Sequence, residues 1–238
     1  MKPLLLPKLA FLQAWEWENL GTPPAVIGMV ESWMSGDTKH RFEDKVLDVL
    51  AEVGVAAGGT LTHDFRDTLA VLASGRRKFT AWAGDVTTGE TGGVLVAIDG
   101  HSAVRLLRED KVVRIDSLPA EYAAESLVDA LPSARPAGLD PVAIPKSEYA
   151  AERGYDFEMP TGYDAAERVR TLMAAPRSGM HQLYASSGER RSSPITVVDV
   201  AREGRVLTYV SGESMINFLP GTRENLVETL YATSDAMA

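Results

Sequence analysis

Four histidines, His40, His63, His101 and His181, are the side chains best suited to acid–base or metal chemistry near neutral pH. No two of them stand at the i,i+3 or i,i+4 spacing that brings two imidazoles to one metal, and there is no His-x-His. The chain contains no cysteine, which excludes a disulfide framework, a Cys-based zinc site, an iron–sulfur cluster and a thiol nucleophile. His63-Asp64 begins a helical segment, where Asp64 reads as a first-turn acid favoured by the helix dipole rather than as an orienting partner for catalysis. Gly212-Glu-Ser214-Met-Ile216 resembles the start of a nucleophile elbow but lacks the final glycine and reads as a hairpin turn. Thr88-Gly-Glu-Thr-Gly-Gly93 lacks the Gly-Lys-Ser/Thr ending of a phosphate loop and has no helix after it. Spacing therefore identifies no catalytic, cofactor-binding or metal-binding residue, and the chain reads as a non-enzyme.

The composition points the same way. The 238 residues carry 33 Asp+Glu against 24 Lys+Arg, a formal charge of −9, which argues against sequence-independent nucleic-acid binding. With 45% hydrophobic and 24% charged residues, the chain is of ordinary globular type. Pro7 and Lys8 interrupt the leucines that follow Met1, so the N-terminus reads as structural rather than as a secretory signal. No stretch approaches the roughly 18 apolar residues of a membrane span. These features predict a cytoplasmic protein with no membrane insertion.

Internal similarity is the strongest pattern. Leu118-Pro119 leads into Glu125-Ser-Leu127-Val128-Asp-Ala-Leu131, and Leu219-Pro220 leads into Glu224-Asn-Leu226-Val227-Glu-Thr-Leu230. Upstream of each lie four short apolar runs: 79–84, 94–99, 104–108 and 112–115, then 182–186, 195–200, 206–210 and 215–219. Trp82 and Tyr184 correspond in this alignment. The runs are rich in Val and Ile and bounded by turn residues, so they predict strands. Their short connections predict antiparallel neighbours.

Helices are predicted over 119–131 and 222–234, capped by Ser117 and Thr222, and over 37–54, 61–73 and 164–174. Phe11–Glu18 predicts a strand, with Phe11, Trp15 and Trp17 on one side, that pairs in a hairpin with 25–33. Residues 132–145, holding Pro132, Pro136, Pro141 and Pro145, predict a stiff linker running partly as polyproline II. The expected organisation is one domain over 1–238, built from an N-terminal half (1–131), this linker, and a C-terminal half (146–238).

These residues also carry a family likeness. Gly179-Met-His-Gln-Leu-Tyr184, Pro194-Ile-Thr-Val-Val-Asp199, Gly204-Arg205-Val-Leu and the final strand into Pro220 form its most specific part. Trp15, Leu20-Gly21, Pro24, the Leu50–Gly54 helix end, Trp82, Val94–Gly100, Ala103-Val104 and Leu131-Pro132 extend it. In these positions the chain resembles the EspG family, the cytosolic chaperones associated with ESX (type VII) secretion in mycobacteria and related actinobacteria. The resemblance implies an α+β fold with a central, mostly antiparallel sheet flanked by helical bundles and a quasi-two-fold relation between halves. It implies a binding activity without catalytic residues or cofactor: capture of a helical-hairpin secretion substrate, a PE–PPE-like heterodimer, by an apolar surface that keeps it soluble and directs it to export. By the family's use of its sheet and C-terminal helical region, the partner-binding candidates here are Met215, Phe218, Leu226, Leu230, Tyr231 and Met237. Arg190 and Arg191 are the expected rim charges.

Two other readings stay open on sequence. One is a small-molecule-binding regulator or hydrolase with a site between the halves, which calls for a deep cleft holding His63, His101 or His181 beside carboxylates. The other is a chain that is monomeric or forms a weak homodimer through the same patch.

Overall fold

The computed structural model describes residues 3–28, 36–150, 165–212 and 214–237. In chain order the first elements are strand β1 (Leu4–Pro7), helix α1 (Lys8–Trp17), a 3₁₀ turn (Ala25–Ile27), α2 (Gly36–Glu52), the small strands β2 (Ala56–Ala57) and β3 (Thr60–Leu61), and α3 (His63–Ser74). Strands β4 (Arg77–Asp85), β5 (Thr91–Asp99), β6 (Ser102–Glu109) and β7 (Val112–Pro119) follow, then a 3₁₀ turn (Ala120–Tyr122), α4 (Ala123–Val128), β8 (Val142–Pro145) and α5 (Lys146–Ala150). The last part holds α6 (Ala165–Ala174), β9 (Arg177–Ser187), β10 (Arg190–Arg191), β11 (Ile195–Val200), β12 (Gly204–Ser211), β13 (Met215–Pro220) and α7 (Arg223–Asp235).

The fold is α+β. Eleven strands form one sheet in the order β1-β7-β6-β5-β4-β9-β11-β12-β13-β8, with β10 paired to β9. Every strand pairing in it is antiparallel, as the short turns require. Two four-strand meanders, β4–β7 and β9 with β11–β13, meet at the long β4–β9 pair, where Ala81 lies opposite Leu183.

Alternation along the strands separates the two faces. Phe79, Ala81, Val94, Val96, Leu183, Ala185 and Val197 point to one face, where α4 and α7 pack on them and on each other. Leu95, Ala97, Leu106 and Ile115 point to the other, beneath α1, α2 and α3. Val198, Val200, Val206 and Phe218 share that second face but are covered separately, by α6 and the partly buried Tyr149 of α5. Both faces are apolar in the central strands because both carry helices.

Helix ends obey local chemistry. The Thr222 hydroxyl accepts the Asn225 amide at 3.1 Å and caps α7 as predicted. Thr222→Ala should cost about 1 kcal/mol, seen as a lowered midpoint in thermal unfolding. The α4 region differs from expectation: Ser117 lies within β7, the 3₁₀ turn starts after Pro119, and no side chain caps it.

The N-terminus differs more. Residues 8–17 are helical, not a strand: Ala10/Ala14 and Phe11/Trp15 stand at i,i+4 and make a buried stripe. The strand lies just before it, where Leu4 and Leu6 face inward on β7 and Leu5 outward. Among the described residues no hairpin forms here, because 25–27 is a 3₁₀ turn; positions 29–33 of that predicted strand, Trp33 included, lie outside the described residues. The proline-rich stretch ends in β8, which pairs with β13 as the far edge of the sheet. Among the described residues no helix is long and apolar enough to cross a membrane.

Candidate partner-binding surface

On the second face, among the described residues, the helices over β5–β7 and those over β11–β13 leave the middle of the sheet partly uncovered. Thr80, Trp82, Tyr184 and Thr196 are half-buried there, Gln182 is exposed, and Met180 is 43% exposed. Trp82 pairs with Gln182 and Thr80 with Tyr184, so the two aromatic rings meet on the diagonal, edge to face, with centroids 5.4 Å apart. The Arg191 guanidinium, delivered by the β9–β10 hairpin, lies 3.5 Å from the Tyr184 ring centroid and 4.8 Å from that of Trp82.

A cavity of about 220 Å³ opens beside these rings, walled by the 20–26 segment and the C-terminal end of α3. The Lys78 ammonium fixes that end by donating to the carbonyls of Leu72 (3.0 Å) and Ala73 (2.8 Å), and burial lowers its pKa. The opposite wall is seated by Arg108, whose Nε donates to the Val26 carbonyl at 2.7 Å. That approach requires glycine at position 93, since a Cβ there would sit 2.7 Å from the same carbonyl.

The residues expected to meet a partner are not gathered on one surface. Phe218, Leu226 and Leu230 are 2%, 1% and 0% exposed and belong to the core, as the helix stripe and the inward strand positions demand. Met215, Tyr231 and Met237 are half-buried. Tyr231 packs edge-on against Phe79, and its hydroxyl lies 2.7 Å from the Glu121 carbonyl and 2.9 Å from the Glu125 carboxylate. Burial, together with that carboxylate, pushes its phenol pKa up to about 12. Arg190 donates to the Met237 carbonyl on the α4–α7 face, whereas Arg191 turns to the aromatic pair on the other. The sequence marks Trp82 and Tyr184 only as corresponding positions of the two runs; their diagonal contact is a property of the strand pairing, which spacing alone does not give.

The histidines divide sharply. His40 and His101 are exposed, and His63 is an exposed α3 residue whose Nε2 lies 3.5 Å from Asp67. His181 is 1% exposed, with Nε2 3.0 Å from Asp199. Arg205 donates to both Asp199 oxygens, at 2.6 and 2.8 Å, and to the Pro132 carbonyl at 2.7 Å. Burial alone would raise the Asp199 pKa, but hydrogen bonds and charge from Arg205 and His181 outweigh it and hold the carboxyl well below its usual range. The group is sealed within the sheet and its carboxylate is already matched, so it serves structure. Among the described residues no three His, Asp or Glu side chains are placed to hold a metal ion.

No curated protein matches the chain. Among solved structures, the Mycobacterium tuberculosis type VII secretion system chaperone EspG5, in complex with a PE25–PPE41 dimer, is similar in fold. The TM-score is 0.68 at 14% identity, over 98% of this chain and 96% of that one. The sequence model of the EspG family matches residues 7–232. The chain therefore belongs to the EspG family.

Proposed function

We propose that this protein is a type VII secretion chaperone that works in the cytoplasm by binding a PE–PPE-like helical dimer, keeping it soluble until export. The observation that carries the reading is the end-to-end fold similarity to EspG5, a chaperone whose structure contains such a dimer, in a chain of the same family. The partly uncovered sheet centre supports it. An aggregation-prone helical tip needs a surface of aromatic and apolar groups with polar neighbours, and Trp82, Tyr184 and Met180 among Thr80, Gln182 and Thr196 are of that kind. The proposal names binding, not catalysis, as the activity.

Duplication of one ancestral unit is part of the same proposal. Two meanders follow the paired sequence runs, and each edge strand ends in a proline with a lysine opening the next helix, at Pro7-Lys8 and Pro145-Lys146. Co-expression with PE–PPE-type pairs, followed by size-exclusion chromatography, tests the function. A pair that is insoluble alone should co-elute with this chain; if every pair stays insoluble in its presence, the reading is lost.

A further inference from the structure

We propose that Arg191, held over Trp82 and Tyr184 beside the 220 Å³ cavity, is a receptor for a carboxylate side chain of the client protein. The proposal rests on the chaperone reading for the source of the carboxylate, not for the site itself. Arg191 contacts two rings, yet among the described residues its N–H donors meet no acceptor and it forms no ion pair. A guanidinium carries five donors in a fixed fork matched to a carboxylate, and this one is steered by aromatic contacts rather than by an acid. Among the described residues the lining of the cavity contains Lys78 and Arg191 and no acidic side chain. Two cations thus stand beside one cavity in a chain of net −9, and they draw an anion to this spot.

Thr80 and Ser186, also in the lining, add hydroxyls that can hydrogen-bond an acid's second oxygen, while Trp82 and Leu95 offer apolar surface to its methylenes. The volume suits one Asp or Glu side chain rather than a cofactor, which takes roughly 300–1,000 Å³. The site also lies on the face that the helices leave partly open, where a docked helical tip would place its side chains. Arg190, next in sequence, is the built-in control: it carries the same charge but faces the other side and donates to the Met237 carbonyl.

Isotope-labelled protein titrated with N-acetylglutamate should show a saturable shift of the Trp82 indole resonance, absent with N-acetylglutamine N-methylamide, which carries no carboxylate, at matched ionic strength. Arg191→Gln should abolish the shift, and Arg190→Gln should leave it. Equal shifts from the two probes, or a shift that survives Arg191→Gln, would overturn the site. With a PE–PPE-type pair that co-purifies with the native chain, Arg191→Gln should weaken binding roughly 30-fold. Arg190→Gln should weaken it less than about fivefold. Unchanged client affinity in Arg191→Gln, with the acetylglutamate shift intact in the native chain, would assign the site to a free small carboxylate and overturn the client role. If no pair co-purifies at all, the chaperone reading fails on its own, while the titration still decides whether the carboxylate site exists.

Discussion

Arg205→Leu should lower the free energy of unfolding by about 3–5 kcal/mol, read as a smaller urea midpoint with an unchanged slope. The variant leaves the Asp199 carboxylate in the sheet with His181 as its remaining side-chain partner, after the loss of two charge-assisted bonds at 2.6 and 2.8 Å. It also strands the Pro132 carbonyl, which Arg205 holds at 2.7 Å and through which the sheet anchors the stretch after α4. Space gives no relief. A Cβ on Gly221 would sit 2.2 Å from Arg205 Cγ, so the arginine stem is already in close contact with backbone. The double variant Asp199→Leu/Arg205→Leu separates charge from packing, because a buried pair replaced by apolar groups is often close to neutral. Recovery of most of the loss in the double variant is the expected result. Equal losses in single and double variants would mean that the site is held by shape and that the ion pair contributes little.

The same carboxylate sets an acid limb. In the unfolded chain Asp199 titrates near its ordinary value of 3.8, and in the fold it titrates well below that. The unfolded state therefore binds the proton more readily over that interval, and stability falls as pH falls. The contribution is complete above about pH 5 and shrinks steadily below about pH 4. Asp199→Asn, measured by denaturant unfolding across this range, should be less stable than the native chain at neutral pH and should lose less on acidification.

How much of this was legible depends on whether the signal was local. The eight long strands were readable because each holds a short apolar run between turn residues, Val- or Ile-bearing in all but β4 and β9, and α2, α3, α6 and α7 because their apolar residues recur at helical spacing. Residues 8–17 defeated the reading for a physical reason. Phe11, Trp15 and Trp17 satisfy an alternating pattern, while Phe11/Trp15 and Ala10/Ala14 satisfy a helical one, and only the second puts the small alanines against the core. The proline at 7, directly before the helix, was the available tie-breaker. Edge strands β1 and β8 were hidden because four residues ending in proline look like a leader or a linker until a neighbour supplies the hydrogen bonds.

The candidate surface was less legible than the fold. Periodicity marks which residues are apolar but not which of them a later helix covers, so Phe218, Leu226 and Leu230 looked eligible for a partner although α7 and β13 need them inside. Arg191 was identified as a charge without a place. Its meaning comes from the hairpin that carries it back over β4 and β9, and that return depends on long-range register rather than on neighbours in sequence.

Trp15→Ala should cost about 3–5 kcal/mol, and it should also disable the cavity without touching Arg191. Trp15 is 2% exposed, its ring tilted against Phe11 at 5.7 Å, and its indole N–H donates to the Gly21 carbonyl at 3.0 Å. That bond ties α1 to the start of the segment that walls the cavity, so one residue couples the hydrophobic core to the surface. Trp15→Phe keeps most of the apolar volume and removes the bond, which lies next to exposed Gly21 where water can replace it; the expected cost is about 1 kcal/mol. The two variants thus divide the roles of the side chain. In a guanidinium titration Trp15→Ala should unfold far earlier than Trp15→Phe, and at low denaturant its Trp82 indole should no longer respond to N-acetylglutamate. If Trp15→Ala is no less stable than Trp15→Phe, the indole is not the anchor of α1. If instead the alanine variant is unstable yet still responds to the carboxylate, the 20–26 wall is held chiefly from the sheet side, by Arg108 and the close seat at Gly93.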